Sequence, residues 1–319
     1  MLKQTKKGMK KKTILAGRDR DFDGLQPISA LMHKAYWQSK EKGEIKNVLT
    51  GVPSGFRALD AITSGFQPSD VILIASRPSM GKTSFALNIA AHVAGQLQQP
   101  VAFFSLEMSA PQVIQRILCT KSGVDLLTFR KGNLNDDETQ RLMTASEWLS
   151  KSKLYIDDTP AITVADLLSK VSWFKAHDGL SLIVIDYLQL MQGPSERNIG
   201  GRQQELSEIS RSLKALARDL SVPVIALSQL SRSVEARQVK KPMLSDLRES
   251  SSLEQDADIV MFLYRDEYYN EDSERKNIAD IIVAKHRNGS TGTVSLRFEK
   301  SSTKFSELES EYVGVNCKE

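Results

Sequence analysis

Gly81-Lys82-Thr83 stand directly behind the apolar run VILIA (71–75), inside SRPSMGKTSFALNIA (76–90), and a helical pattern follows at once. A strand, a tight turn and a helix in that order make a Walker A loop, whose backbone N–H groups and positive helix end bind phosphate oxygens. Ser79, Met80, Gly81, Lys82, Thr83 and Ser84 are the expected phosphate contacts. Gly81 allows close backbone approach, Lys82 reaches the outer phosphates, and Thr83 offers a hydroxyl to Mg²⁺. The pattern G-x-x-x-x-G-K-[ST] opens with glycine, whereas Ser76 occupies that place here.

Three further residues end apolar runs in the same manner. Asp186 closes LIVID (182–186), a Walker B pattern that sets a carboxylate beside the loop to hold Mg²⁺. Glu107 follows VAFFS (101–105) and suits a general base that polarises water; charge complementarity at a helix N-terminus is the plainer alternative. Gln229 follows PVIAL (223–227), where its amide can sense a terminal phosphate; a strand-end hydrogen bond is the alternative. ATP with Mg²⁺ is the ligand these residue types imply.

The elements that must carry these groups alternate. Apolar, β-rich runs at 71–75, 101–105, 153–156, 182–186, 223–227 and 258–264 are separated by helical stretches at 82–96, 109–121, 136–151, 163–177 and 202–219. Unbroken apolar strands between helices predict an α/β fold with a mostly parallel central sheet covered by helices. Residues 278–285 and 293–298 read as a closing hairpin around RNGSTG. Ahead of this core, Ile28, Leu31, Met32, Ala35 and Tyr36 make one helical face. The expected organisation is a basic flexible arm (1–26), an amphipathic linker helix (27–46), the ATPase core (47–300) and a C-terminal tail (301–319).

Composition is that of a soluble globular chain: 319 residues, 40% hydrophobic, 26% charged and a net charge of +4. Lys3, Lys6, Lys7, Lys10, Lys11 and Lys12 crowd the N-terminus and read as a solvated run that can also attract nucleic acid. No apolar run reaches the ~18 residues of a membrane span, and no apolar signal core follows the lysines. Cys119 and Cys317 lie far apart with no metal-type spacing, in keeping with a cytoplasmic location.

Several long stretches resemble the DnaB-type replicative helicases: GVPSGFRALD (51–60), FFSLEMS (103–109), IVIDYLQLM (183–191), ALSQLSRSVE (226–235), DLRESSSLEQDADIVMFLYRDEYY (246–269) and KHRNGSTG (285–292), together with the Walker A segment. The likeness covers roughly residues 20–300. It implies a RecA-like P-loop core working as a hexameric ring around single-stranded DNA, with ATP sites shared between subunits. Lys285 and Arg287 would then enter the neighbouring subunit's site as trans-acting cations. Arg248, Glu249 and Ser251 match the positions that meet the DNA backbone, although Ser251 replaces the family's glycine. Primase and a helicase loader are partners implied by the resemblance. Members usually carry an N-terminal helical domain that meets primase, where this sequence shows only the arm and the linker helix. The competing expectations are a RecA-like recombinase or related ring ATPase, and a DNA-binding or assembly module without productive unwinding.

Overall fold

The computed structural model describes residues 49–193 and 201–308, together with Ile28, and the side chains of 248–251 are outside the description. The arm (1–26) and most of the linker helix (27–46) therefore fall outside the described residues, as do 309–319. A compact unit begins at Leu49.

Its described strands form one nine-stranded sheet. In chain order the elements are α1 (Arg57–Thr63), β1 (Val71–Ser76), α2 (Lys82–Ala91), β2 (Val101–Ser105), α3 (Ala110–Ser122), α4 (Leu126–Lys131), α5 (Asp136–Ser150), β3 (Leu154–Asp157), α6 (Val164–Asp178), β4 (Leu182–Asp186), α7 (Gly201–Leu220), β5 (Val224–Gln229), α8 (Ser251–Asp256), β6 (Ile259–Tyr264), β7 (Ile278–His286), β8 (Gly292–Glu299) and β9 (Lys304–Glu307). The sheet order is β3-β2-β4-β5-β1-β6-β7-β8-β9. Strands β3 through β6 in that order are parallel, and β7, β8 and β9 continue antiparallel.

The apolar runs are unbroken because both faces of the sheet are covered. Ile72 and Ile74 face one core, with Phe85 and Ile89 of α2 and Val113 and Ile117 of α3. Val71, Leu73 and Ala75 face the other, with Leu167 and Val171 of α6 and Leu206, Ile209, Leu213 and Leu216 of α7. The α7 spacing puts these residues on one helical stripe that lies on the sheet. Local signals start the helices. Asn135 Oδ1 accepts from Glu138 N at 2.8 Å while Glu138 Oε2 accepts from Asn135 N at 3.0 Å, a reciprocal cap on α5. Thr163 Oγ1 accepts from Asp166 N at 3.1 Å at the start of α6.

Two features depart from the sequence expectation. The tail expected from residue 301 is corrected at its beginning, because β9 pairs with β8 and Phe305 is buried between Phe85 and Phe298, at ring distances of 5.3 and 4.6 Å. A four-residue strand with one apolar anchor has too little alternation to be read locally. The helix expected over 82–96 is α-helical only to Ala91 and continues as a π-helical turn, His92–Gln96. Gly95 in that turn lies against Trp148 of α5, where an added Cβ would come within 2.0 Å of the indole. Glycine there lets two helices approach as closely as they do.

Candidate nucleotide site

Parallel register gathers the strand ends. Ser105 lies beside Asp186, and Ser76 beside Gln229. Since β2, β4, β5 and β1 are adjacent, Glu107, Asp186, Gln229 and the loop after Ser76 share the carboxyl edge of the sheet. Open α/β sheets bind ligands at that edge. A cleft of about 440 Å³ opens there, and Ser79, Gly81, Lys82, Thr83, Ser84, Glu107 and Gln229 line it.

The loop is shaped for close approach. Gly81 has φ +100° as N-cap of α2, and a Cβ there would meet the Phe305 and Phe298 rings at 3.2 and 3.3 Å. Ser79 also has positive φ, +65°, and its carbonyl accepts from Arg265 Nη1 at 3.3 Å. Met80, expected among the contacts, is not on the cleft wall. Its side chain is buried in the core, which leaves its backbone as the only group available to a phosphate.

Thr83 Oγ1 donates to Asp186 Oδ2 at 2.7 Å, and Lys82 Nζ stands 4.0 Å from Asp186 Oδ1. Asp186 is fully buried, and Oδ1 accepts no hydrogen bond. Burial raises the Asp186 carboxyl above its ordinary value, against the pull of Lys82 and the Thr83 hydroxyl. Burial likewise lowers the Lys82 ammonium, against Asp186 and Glu107. Each group is thus pressed toward its neutral form, and a phosphate on Lys82 with a divalent cation on Asp186 would restore both charges. The hydroxyl, the carboxylate and the orphaned oxygen fit Mg²⁺. Among the described residues no cluster of three His, Cys, Asp or Glu side chains competes for a metal.

The cleft holds more positive charge than the sequence reading anticipated. Arg116 of α3 lines it, with its Nε buried and without a hydrogen-bond partner. Burial, followed by Arg130, lowers the Arg116 guanidinium from its ordinary value. Arg265 also lines the cleft, paired with Glu267 and lying 4.5 Å over the Phe298 ring. Lys300 and Thr303 complete the wall from the β8–β9 turn. Arg265 had a legible signal, since it follows β6 just as Gln229 follows PVIAL. Arg116 had none, because an arginine on a helix ordinarily reads as a solvated charge.

Gln229 has a second setting. It also lines a neighbouring cleft with Gln189, Arg202, Asp246 and Leu247. Its backbone N donates to Gln189 Oε1 at 3.3 Å, and Gln189 Nε2 donates to Ser228 Oγ at 2.9 Å. The amide stands between the nucleotide cleft and the 3-10 segment Leu244–Ser250, which carries Arg248 and Glu249. Ser251 begins α8, and the side chains of these three residues lie outside the description.

Lys285 and Arg287 are not brought to this cleft. Lys285 pairs with Val260 near the start of β6, at the sheet edge away from the carboxyl ends. Lys285 Nζ donates to the carbonyls of Glu254, Gln255 and Ala257 at 2.5, 3.3 and 2.8 Å. Arg287 donates to the Gln255 carbonyl and pairs with Asp258 at 3.5 Å. Burial lowers the Lys285 ammonium, and Arg287 beside it lowers it further.

A parallel sheet with a phosphate loop after β1 and a Walker B carboxylate at the end of β4 defines a P-loop nucleotide-binding domain of the RecA type. Comparison with known proteins narrows that class. The family described as DnaB-like helicase C terminal domain matches residues 51–307, and the chain belongs to it. The replicative DNA helicase DnaB of Geobacillus stearothermophilus is 59% identical over 261 residues, 82% of this chain and 57% of that protein. The replicative DNA helicase DnaC of Bacillus subtilis (strain 168) is 51% identical over 299 residues, 93% of this chain and 66% of that protein. The chain thus spans less than two thirds of these relatives' length.

Among solved structures, an isolated ATPase domain superposes with a TM-score of 0.84 at 42% identity, covering 89% of this chain and all of that one. A DnaB-like replicative helicase described with its primase interactions gives 0.81 at 42% identity, over 90% of this chain and 68% of that one. The RadB recombinase, at 0.51 and 18% identity, shares the fold. No described helix is long and apolar enough to cross a membrane.

Proposed function

We propose that this chain is the ATP-hydrolysing motor of a hexameric replicative helicase that moves on single-stranded DNA and unwinds duplex DNA. The observation that carries the reading is a division of charge. Lys82 and Thr83 line one cleft, with Asp186 buried behind them and bonded to the Thr83 hydroxyl, and Lys285 and Arg287 lie at the other edge of the same sheet. Cations so placed serve a site on an adjacent copy more readily than their own.

In this reading Lys82 and the 79–84 turn hold the triphosphate of ATP. Thr83 and Asp186 hold Mg²⁺, which neutralises charge on the phosphates. Glu107, exposed on the cleft wall, takes the proton of the attacking water. Arg116 and Arg265 add cationic wall within the subunit. Gln229 reports the terminal phosphate to the 244–250 segment, whose Arg248 and Glu249, with Ser251 beyond them, engage the DNA backbone. Lys285 and Arg287 complete the neighbour's site, so that hydrolysis requires assembly. One solved relative is described with its primase interactions, and primase and a loader are the protein partners proposed for this chain. The cytoplasm is its proposed location.

Sedimentation with an ATP analogue and single-stranded DNA, followed by forked-duplex unwinding on the same sample, tests the assignment. A hexamer that unwinds supports it; a monomer that hydrolyses ATP at full rate overturns it. Arg287→Ala should keep nucleotide binding and lose DNA-stimulated hydrolysis by about 10³-fold or more. Undiminished hydrolysis in that variant removes the trans role.

A further inference from the structure

Asp258, between α8 and β6, is buried yet meets groups from three separate parts of the fold. Its Oδ2 accepts from Val71 N at 2.8 Å and from Lys214 Nζ at 2.5 Å. Its Oδ1 faces Arg287 Nη1 at 3.5 Å, and its carbonyl accepts from Arg287 N at 2.9 Å. Val71 begins β1, the strand that leads into the phosphate loop; Lys214 belongs to α7, and Arg287 follows β7. The Asp258 side chain is 7% exposed, against 45% for that of Arg287.

This asymmetry separates anchor from effector. A buried carboxylate held by two donors on one oxygen has little freedom. An arginine more than two fifths exposed, held at its base by a backbone bond and at its head, besides Asp258, by the neutral Gln255 carbonyl, can still swing that head through solvent. The charge on Oδ1 restricts that sweep. We propose that Asp258 is a positioning residue for Arg287, restraining the guanidinium in the pose from which it enters the adjacent subunit's nucleotide site. The proposal rests on the trans reading above and adds a residue to it. Lys285 is restrained in parallel by the three carbonyls at the end of α8, so both cations start from fixed seats. Pre-set orientation matters in proportion to the precision needed, and ~1 Å of misplacement can cost ~10²-fold in rate.

Asp258→Asn is the apt perturbation, because the amide oxygen can still accept from Val71 N while the charge facing Arg287 is gone. The expected result is a ~10- to 100-fold fall in kcat for DNA-stimulated ATP hydrolysis with little change in KM. In an Arg287→Ala background the same substitution should cause no further fall. Mixed rings separate positioning from general damage. Lys82→Ala subunits lack their own phosphate lysine but carry an intact Asp258–Arg287 pair. Mixed with Asp258→Asn subunits, they should restore hydrolysis at the latter's own sites.

Rings of Arg287→Ala with Lys82→Ala serve as the reference. If they fail to recover, the trans reading itself falls. If they recover and the Asp258→Asn mixture does not, Asp258 acts on its own subunit and the positioning role is refuted. Should Asp258→Asn not fold, Asp258→Glu, which keeps the charge but displaces it by one methylene, is put through the same mixtures. A recoverable defect supports the proposal, and an unrecoverable defect or full activity overturns it.

Discussion

Asp70 precedes β1 and is buried beside Asp258, with Lys214 and Arg287 nearby. Burial, then the charge of Asp258, raises its carboxyl from 3.8 to about 6, against the opposing pull of the two cations. In the unfolded chain Asp70 releases its proton near 3.8, while the native chain retains it to about 6. Between these values the native state binds more protons, so stability falls as pH rises through the window and then levels off above it. At about 1.4 kcal/mol per pH unit, the gap is worth roughly 3 kcal/mol as an upper figure. Asp70→Asn removes the titration and keeps the shape. The variant should be more stable than the parent at pH 7.5, by up to about 3 kcal/mol, and the difference should shrink as pH drops toward 4. Urea unfolding at several pH values, followed by circular dichroism, measures this directly. Parallel stability curves for parent and variant across that range would refute the reasoning, as would a variant that is less stable at pH 7.5.

Two further outcomes follow from local geometry. Gly95→Ala should destabilise by about 1–3 kcal/mol, since its Cβ would meet the Trp148 ring at 2.0 Å; a lowered melting temperature with altered tryptophan fluorescence checks it. Thr83→Val strips Asp186 Oδ2 of its 2.7 Å donor and removes the hydroxyl offered to Mg²⁺, so calorimetry should show weaker nucleotide binding with Mg²⁺ and little change without it.

What could be read along the chain was what repeats or punctuates locally. Unbroken runs such as LIVID and VAFFS announced buried parallel strands, because a strand covered on both faces has no polar side. Polar residues at or just past the ends of those runs, Asp186, Glu107 and Gln229, were legible as neighbours because parallel strands bring their carboxyl ends to one edge. The sequence also sufficed to see Gly81-Lys82-Thr83 at a tight turn between a strand and a helix. Tertiary structure alone decided the rest. Arg116 enters the cleft through the packing of α3, and Phe305 becomes a strand anchor only when Phe85 and Phe298 surround it. Lys285 and Arg287 are far from their own phosphate loop because β7 runs antiparallel to β6, carrying the end of one strand to the start of the other. Asp258 meets Val71 across 187 positions of chain. Contacts of that span leave no periodic mark, because they depend on where the sheet brings its strands and not on the order of neighbours along the backbone.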